Sequence, residues 1–150
     1  MTIYKKVKNI SPENAAYIAG LIDGEGTISL SRKHKGDNRQ LVISISNNEL
    51  PLLKYISKIV GAGHITRKRN YSIHHAPSFT YVITNRQALD LLKYITSYLK
   101  TYKSKRAKLI LKDYIRFTPR NGRYTYDQKK KREIFIKKFL MLKVRRAYTS

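Results

Sequence analysis

Two carboxylates, Asp23 and Glu25, stand one residue apart among the glycines of "AAYIAGLIDGEG" (15–26), in a 150-residue chain with 9 acidic and 32 lysine or arginine residues. The remaining acids have ordinary places. Glu13, Glu49, Asp90 and Asp127 fall near expected helix starts, where the helix dipole favours them, Asp37 sits in a turn, and Asp113 and Glu133 can pair with nearby bases along helices. Asp23 and Glu25 instead fall near the end of a helix, at its negative pole. A carboxylate facing phosphodiesters is repelled by them, and a divalent cation between the two removes the conflict. Mg²⁺ prefers oxygen ligands and keeps waters, one of which can become a nucleophile. The glycines allow close backbone approach and could add a carbonyl ligand. The plainer reading of an isolated Asp-Gly-Glu is a helix end or a pair with a lysine.

The net charge of +23 repels itself in a compact chain unless a polyanion neutralises it, so nucleic acid is the expected partner and an acidic membrane surface the weaker alternative. No apolar run approaches the roughly 20 residues needed to span a bilayer. The opening "MTIYKKVKNI" lacks the apolar stretch of a signal peptide, which leads to an expected intracellular location, in an organelle or an archaeal or bacterial cytoplasm. With no cysteine, disulfides and thiolate metal sites are excluded. The 12 tyrosines suit surfaces where apolar groups meet polar partners, although several must be core.

The elements that would position the two acids can be read in order. Ser11 caps a helix with Pro12 at its first position; the helix runs through Ala15, Ala16, Ile18, Ala19, Leu21 and Ile22, and Gly24 and Gly26 stop it. "TISLSRK" and "QLVISIS" alternate with period two around the turn "HKGDN", a hairpin. A helix follows from about Asn48 and ends at "GAG" (61–63). A second hairpin, "HITRKR" and "SFTYVIT", encloses "NYSIHHAP", and Asn85 can cap the helix after it. Beyond a polar break, "TYKSK", a helix is expected from about Arg106 to Phe117, then a basic helix, "QKKKREIFIKKFLMLKVRRAY", capped by Asp127. The pattern predicts one α+β domain over 1–150: a helix–strand–strand unit used twice in one sheet, then a further helix, with a basic helical extension over about 118–150.

Antiparallel strands can bury one face and leave the other wet. The wet face would carry Ser29, Ser31, Lys33, Gln40, Val42, Ser44, Thr66, Lys68, Ser78, Thr80, Val82 and Thr84, mostly short donors, acceptors and cations. Such a face suits base edges in a major groove, and equally an ordinary solvated sheet. Lys129, Lys130, Lys131 and Arg132, then Lys137, Lys138, Lys143, Arg145 and Arg146, would bind phosphate without reading sequence.

Ile18-Ala19-Gly20-Leu21-Ile22-Asp23-Gly24-Glu25-Gly26 resembles the LAGLIDADG motif of homing endonucleases, with Ile for the first Leu and "DGEG" for "DADG". The helix–hairpin–helix–hairpin–helix order and "ISISNNELPLLKYISKIVGAG" are similar to the same family, and the resemblance implies an αββαββα core over about 11–117 with a saddle-shaped antiparallel sheet. The resemblance implies a site-specific DNA endonuclease that promotes intron homing. It would make a double-strand break across the minor groove of a long, nearly palindromic target and leave 3′ overhangs. A single motif copy implies a homodimer through the motif helices, at Ala16, Ala19 and Gly20, whose small side chains let backbones approach. Glu25 takes the metal-ligand position, with the Gly24 carbonyl assisting, while Asp23 is left between metal binding and orienting or capping. Mg²⁺ is the implied cofactor; Mn²⁺ would substitute, and Ca²⁺ would bind without supporting cleavage. Asn47 stands where Gln often orders active-site water, one methylene shorter. Lys103, in "TYKSKRA", stands where a basic residue stabilises the scissile phosphate or polarises water, with Lys105 as the alternative. Two other readings keep the fold or the charge without the cleavage: an intron RNA maturase, and a non-catalytic nucleic-acid-binding protein.

Overall fold

The structure, a computed structural model, describes residues 5–68, 76–119 and 123–144. Its elements are α1 (Pro12–Glu25), β1 (Gly26–Ser31), β2 (Gln40–Asn47), α2 (Leu50–Val60), β3 (His64–Arg67), β4 (Phe79–Thr84), α3 (Asn85–Ile95), a 3₁₀ turn (Thr96–Tyr98), α4 (Tyr102–Asp113) and α5 (Tyr126–Met141). The fold is α+β, with the αββαββα order predicted from the periodicities. The four strands form one antiparallel sheet in the order β1-β2-β4-β3.

Strict alternation decides which face is covered. Ile28, Leu30, Leu41, Ile43, Ile45, Tyr81 and Ile83 point to the core, where Ile18, Ile22, Leu53, Ile56, Val60, Leu92 and Ile95 of the helices meet them. The opposite face carries cross-strand rows: Thr27, Ser44, Val82 and His64 in one, Ser46, Thr80 and Thr66 in the next, Ser29, Val42 and Thr84 in a third. Hydroxyls on this face bond one another, Thr27 to Ser44 at 2.7 Å and Ser46 to Thr80 at 2.8 Å.

Several boundaries differ from the sequence reading. α1 does not stop at Gly24; it continues through Glu25, and the Gly26 amide closes it on the Ile22 carbonyl. A Cβ at Gly26 would lie 2.7 Å from Ile22 Cα, so only glycine lets β1 leave the helix this close to it. β1 ends at Ser31 and β3 at Arg67, so Lys33 lies in the connecting turn and Lys68 just past its strand, with its amide still bonded to the Ser78 carbonyl at 2.8 Å. α2 begins at Leu50 rather than Asn48. Asn85 is not a cap but the first residue of α3, held at φ 53°. α4 starts a full turn before Arg106 and ends at Asp113, because the Thr101 side chain caps it by accepting the Lys103 amide at 3.3 Å. Thr125 and Gln128 form a capping box at α5, and Asp127 sits in its first turn. α5 ends at Met141; Lys143 follows it, and Arg145 and Arg146 lie outside the described residues, as does most of "NYSIHHAP". No helix among the described residues is long and apolar enough to cross a membrane.

α5 is fastened to the body by buried Phe135 and Phe139 and by two arginines. Arg106 lies between the Tyr102 and Phe139 rings and donates to the Leu142 carbonyl at 2.5 Å and the Ile28 carbonyl at 2.9 Å. Arg132 is the second, and its place corrects the phosphate role expected for it. It is 4% exposed, donates to the Phe117 carbonyl, the Thr118 hydroxyl and the Arg39 carbonyl, and stacks near Tyr114 and Tyr124. Its position follows from helical spacing: residues 132, 135 and 139 share one face, and that face is the packed one. Lys129, Lys130, Lys131, Lys137 and Lys138 fall on the exposed remainder.

Candidate active site

The C-terminal end of α1, the end of β2 and the start of α4 meet at one point. Glu25 is the last residue of α1 and is exposed. Asn47 ends β2, and its Nδ2 donates to Glu25 Oε2 at 2.7 Å. The Glu49 amide donates to Asn47 Oδ1 at 2.8 Å, so the main chain fixes which half of the Asn47 amide faces the acid. Asn47 therefore orients the carboxylate while leaving its other oxygen open.

Lys103 comes from α4 beneath the same helix end. Only 7% exposed, it donates its ammonium to the carbonyls of Ile22 at 2.7 Å and Asp23 at 3.0 Å. The Ile22 carbonyl accepts this ammonium beside the Gly26 amide, the Asp23 carbonyl is one of the acceptors a helix terminus leaves open, and a cation there also opposes the dipole. Burial lowers the Lys103 pKa; the Asp23 charge works against that shift and the Arg106 charge adds to it. Two of the three ammonium donors are engaged by these bonds, and the third is left. Lys105 is exposed on α4, away from this end. The capping lysine also explains how a helix containing Gly24 reaches Glu25, since glycine there costs about 1 kcal/mol relative to alanine.

The two acids of the motif have different jobs. Asp23 accepts the Lys100 amide at 2.8 Å, the Thr101 amide at 3.2 Å and the Thr101 hydroxyl at 2.6 Å. Burial raises its pKa, but the Thr101 hydroxyl, the two amides and the Lys103 charge outweigh that, so the carboxyl sits below its ordinary value of 3.8. Asp23 thus ties the motif helix to the start of α4 and fixes where Lys103 emerges. Thr101 was not singled out in the sequence, although a threonine opening "TYKS" is an ordinary capping signal.

Asp23→Asn keeps one acceptor oxygen but turns an amide toward backbone N–H donors. It is expected to cost about 1–2 kcal/mol of stability, measured by denaturant unfolding. Because the folded-state pKa is depressed, the Asp23 contribution is complete above the ordinary carboxylate range and is lost as pH falls below about 3.8. The Asn variant should lose that part of the acid transition.

The face of α1 turned away from the core carries Ala16, Gly20 and Gly24, all exposed, with Tyr17 beside them. Tyr17 meets Tyr55 edge-to-face at 6.2 Å. Ala19 corrects an expectation: it is 0% exposed, on the core-facing stripe with Ala15, Ile18 and Ile22, and is unavailable to a partner. A Cβ at Gly20 or Gly24 would meet nothing within 4 Å among the described residues, so none of them requires glycine at either position.

The donor set suits a hard divalent cation. Glu25 offers a carboxylate oxygen not used by Asn47, Gly24 is exposed with open space around it, and the helix terminus concentrates carbonyl oxygens. Among the described residues no group of three or more His, Cys, Asp or Glu side chains is assembled.

Comparison with known proteins places the chain in a family and its fold among solved structures. The profile of the LAGLIDADG endonuclease family matches residues 18–120. The structure is similar to the homing endonuclease I-CvuI, solved in complex with its target in the presence of calcium (TM-score 0.72, 20% identity, covering 93% of this chain and 87% of that one). It is also similar to the archaeal intron-encoded homing endonuclease I-Vdi141I, solved with DNA (TM-score 0.60, 16% identity, 89% and 86% covered). A third likeness is to the meganuclease I-SmaMI bound to uncleavable DNA (TM-score 0.64, 16% identity), where 85% of this chain covers 45% of that one.

Proposed function

This chain belongs to the LAGLIDADG endonuclease family and is a site-specific DNA endonuclease, and we propose that it works as a homodimer built on the exposed face of α1, with Glu25 of each subunit serving one strand. The observation that carries the reading is the convergence of Glu25, Asn47 and Lys103 at the end of that helix. The glycines at 20 and 24 support the dimer, because no described residue of the chain fills the space beside them and a second copy could approach there. Coverage of less than half of I-SmaMI by one copy of this chain supports it as well. Two-fold symmetry then calls for a nearly palindromic target, each subunit reading one half.

A divalent cation bound at Glu25 would supply positive charge to the phosphoryl oxygens and acidify water held beside it; Mg²⁺ is the expected species, with Mn²⁺ as a substitute and Ca²⁺ supporting binding alone. Glu25 provides the negative charge that retains the cation next to the DNA backbone. Asn47 holds the carboxylate in one rotamer, so the acid is placed before substrate arrives. Lys103 neutralises the helix end and turns its remaining donor toward charge developing on the scissile phosphate. The result is a double-strand break with 3′ overhangs, the kind of cut that promotes intron homing. The wet sheet face, with Ser29, Ser31, Gln40, Ser44, Thr66, Thr80 and Val82, lies along the major groove of each half-site, and Lys33 and Lys68 flank it. The maturase and non-catalytic readings are not favoured, since neither needs an oriented acid beside a capping lysine.

Selection of cut sites from randomised duplex in Mg²⁺ should return one long sequence with two-fold symmetry. Random nicking, or no cutting across the library, would sink the reading. Affinity should fall steeply with salt, with a log–log slope of about −0.9 per phosphate neutralised. Replacing Lys129 and Lys130 together by alanine should reduce that slope by about two and weaken all sequences alike. Arg132→Ala should instead lower stability, measured by denaturant unfolding, and leave the slope of the folded protein unchanged, because Arg132 is buried.

A further inference from the structure

At the end of the sheet opposite Glu25, four residues form a one-way hydrogen-bond chain. The β2–β4 ladder stops at Val42 and Thr84, while β1 still pairs with β2 through Leu41 and Gln40; on the side β4 has left, the Leu41 amide donates to the Tyr114 hydroxyl at 3.3 Å. Tyr114, 2% exposed, passes its own proton to Asn85 Oδ1 at 3.1 Å. Asn85 Nδ2 then donates to Gln40 Oε1 at 2.9 Å. A backbone N–H can only donate, so each later link is forced: the tyrosine must give its hydrogen to an acceptor, Asn85 must turn its oxygen inward, and Gln40 must turn its oxygen toward Asn85. Asn85 is also the single residue other than glycine with positive φ among the described residues, at 53°, a conformation that costs of order 1 kcal/mol or more and marks a position fixed by its surroundings.

The consequence falls on Gln40, which is partly exposed and shares the parity of Val42 and Ser44 on the wet face. Among the described residues its side chain has the Asn85 bond alone, so its free half is the NH₂ group. A glutamine free to turn can place a donor and an acceptor on adenine, or flip to suit another base. Gln40 is denied that choice. It borders a cleft of about 540 Å³ whose walls include Arg39, Arg86 and Tyr124 and, among the described residues, no carboxylate, a setting that favours the electron-rich edge of a base beside its phosphate.

We infer that Tyr114 and Asn85 are positioning residues that lock Gln40 as a pure donor, so that one outer base pair of each half-site is read for a major-groove acceptor, guanine O6 or N7 above all. This rests on the sheet-face reading of DNA given above. Gln40 and Asn47 are seven residues apart on β2, about 23 Å at ~3.3 Å per residue. The position read is therefore roughly seven base-pair steps outward from the cut, at ~3.4 Å per step.

The test is a binding selection from half-site libraries in Ca²⁺, with melting temperatures recorded for each variant. Wild type should prefer an acceptor-bearing base at that outer position by roughly tenfold, as one well-placed contact gives. Gln40→Ala should flatten that position and no other. Asn85→Gly, which suits the left-handed backbone, and Tyr114→Phe should flatten the same position to under about threefold while the remaining positions stay sharp. Gln40→Glu should move the preference to cytosine, whose amino group is a donor. If Gln40→Ala flattens the position but Asn85→Gly and Tyr114→Phe leave it sharp in folded protein, the relay is wrong and the sheet reading stands. If Gln40→Ala changes no position, both the relay and the reading of DNA by this part of β2 fall.

Discussion

Glu25→Gln is expected to slow strand cleavage by roughly three orders of magnitude or more, with target affinity within about threefold of wild type. The substitution is nearly isosteric, and the glutamine oxygen can still accept from Asn47 Nδ2, so the local geometry has little reason to move. Glu25 is exposed, and the cap on α1 is supplied by the Gly26 amide and Lys103, not by the acid, so folding should be unaffected. What is lost is one negative charge at the place where a cation must be held against the DNA backbone. Single-turnover cleavage of a cognate duplex in Mg²⁺, beside anisotropy binding in Ca²⁺, separates the two effects. Cleavage near the native rate would remove Glu25 from the chemistry.

Gly20→Leu should leave each subunit folded and abolish double-strand cleavage. Gly20 lies in the middle of α1, where glycine costs about 1 kcal/mol relative to alanine, and the space beyond it in the subunit is open. On stability within one chain, a side chain there is harmless or favourable. Between two copies crossing at this face, a leucine side chain would hold the backbones apart. Sedimentation should shift from dimer to monomer, with helical content retained and supercoiled target left uncut. Gly20→Ala should fall between the two. A dimeric, fully active leucine variant would place the subunit contact elsewhere.

The sequence carried the element order because the core alternates cleanly: Ile28 and Leu30, Leu41, Ile43 and Ile45, Tyr81 and Ile83 are spaced at two, and Leu53, Ile56 and Val60 at helical intervals. The family resemblance singled out Glu25, Asn47 and Lys103 as candidates, and the fold brings all three to the end of α1. The sequence did not separate the faces of α1, where small and apolar residues run all round; Ala19 and Gly20 read alike in sequence, yet one is core and the other surface. Lys103 and Arg132 show a second difficulty. A count of cations treats each as a solvated charge, whereas Lys103 is engaged by two carbonyls at a helix end and Arg132 by carbonyls at the base of α5. Burying Lys103 also hid the first turn of α4 inside what read as a polar break. The left-handed Asn85 left no local signal, because its conformation is set by Tyr114 and Gln40, which lie 29 and 45 residues away.

The most direct measurement is anomalous diffraction from crystals of the protein grown with its cognate duplex and Mn²⁺. Manganese within coordinating distance of the Glu25 carboxylate of each subunit and of the scissile phosphate that this subunit serves is the result this account requires. Density for manganese elsewhere, with both Glu25 carboxylates turned from the DNA, would contradict it.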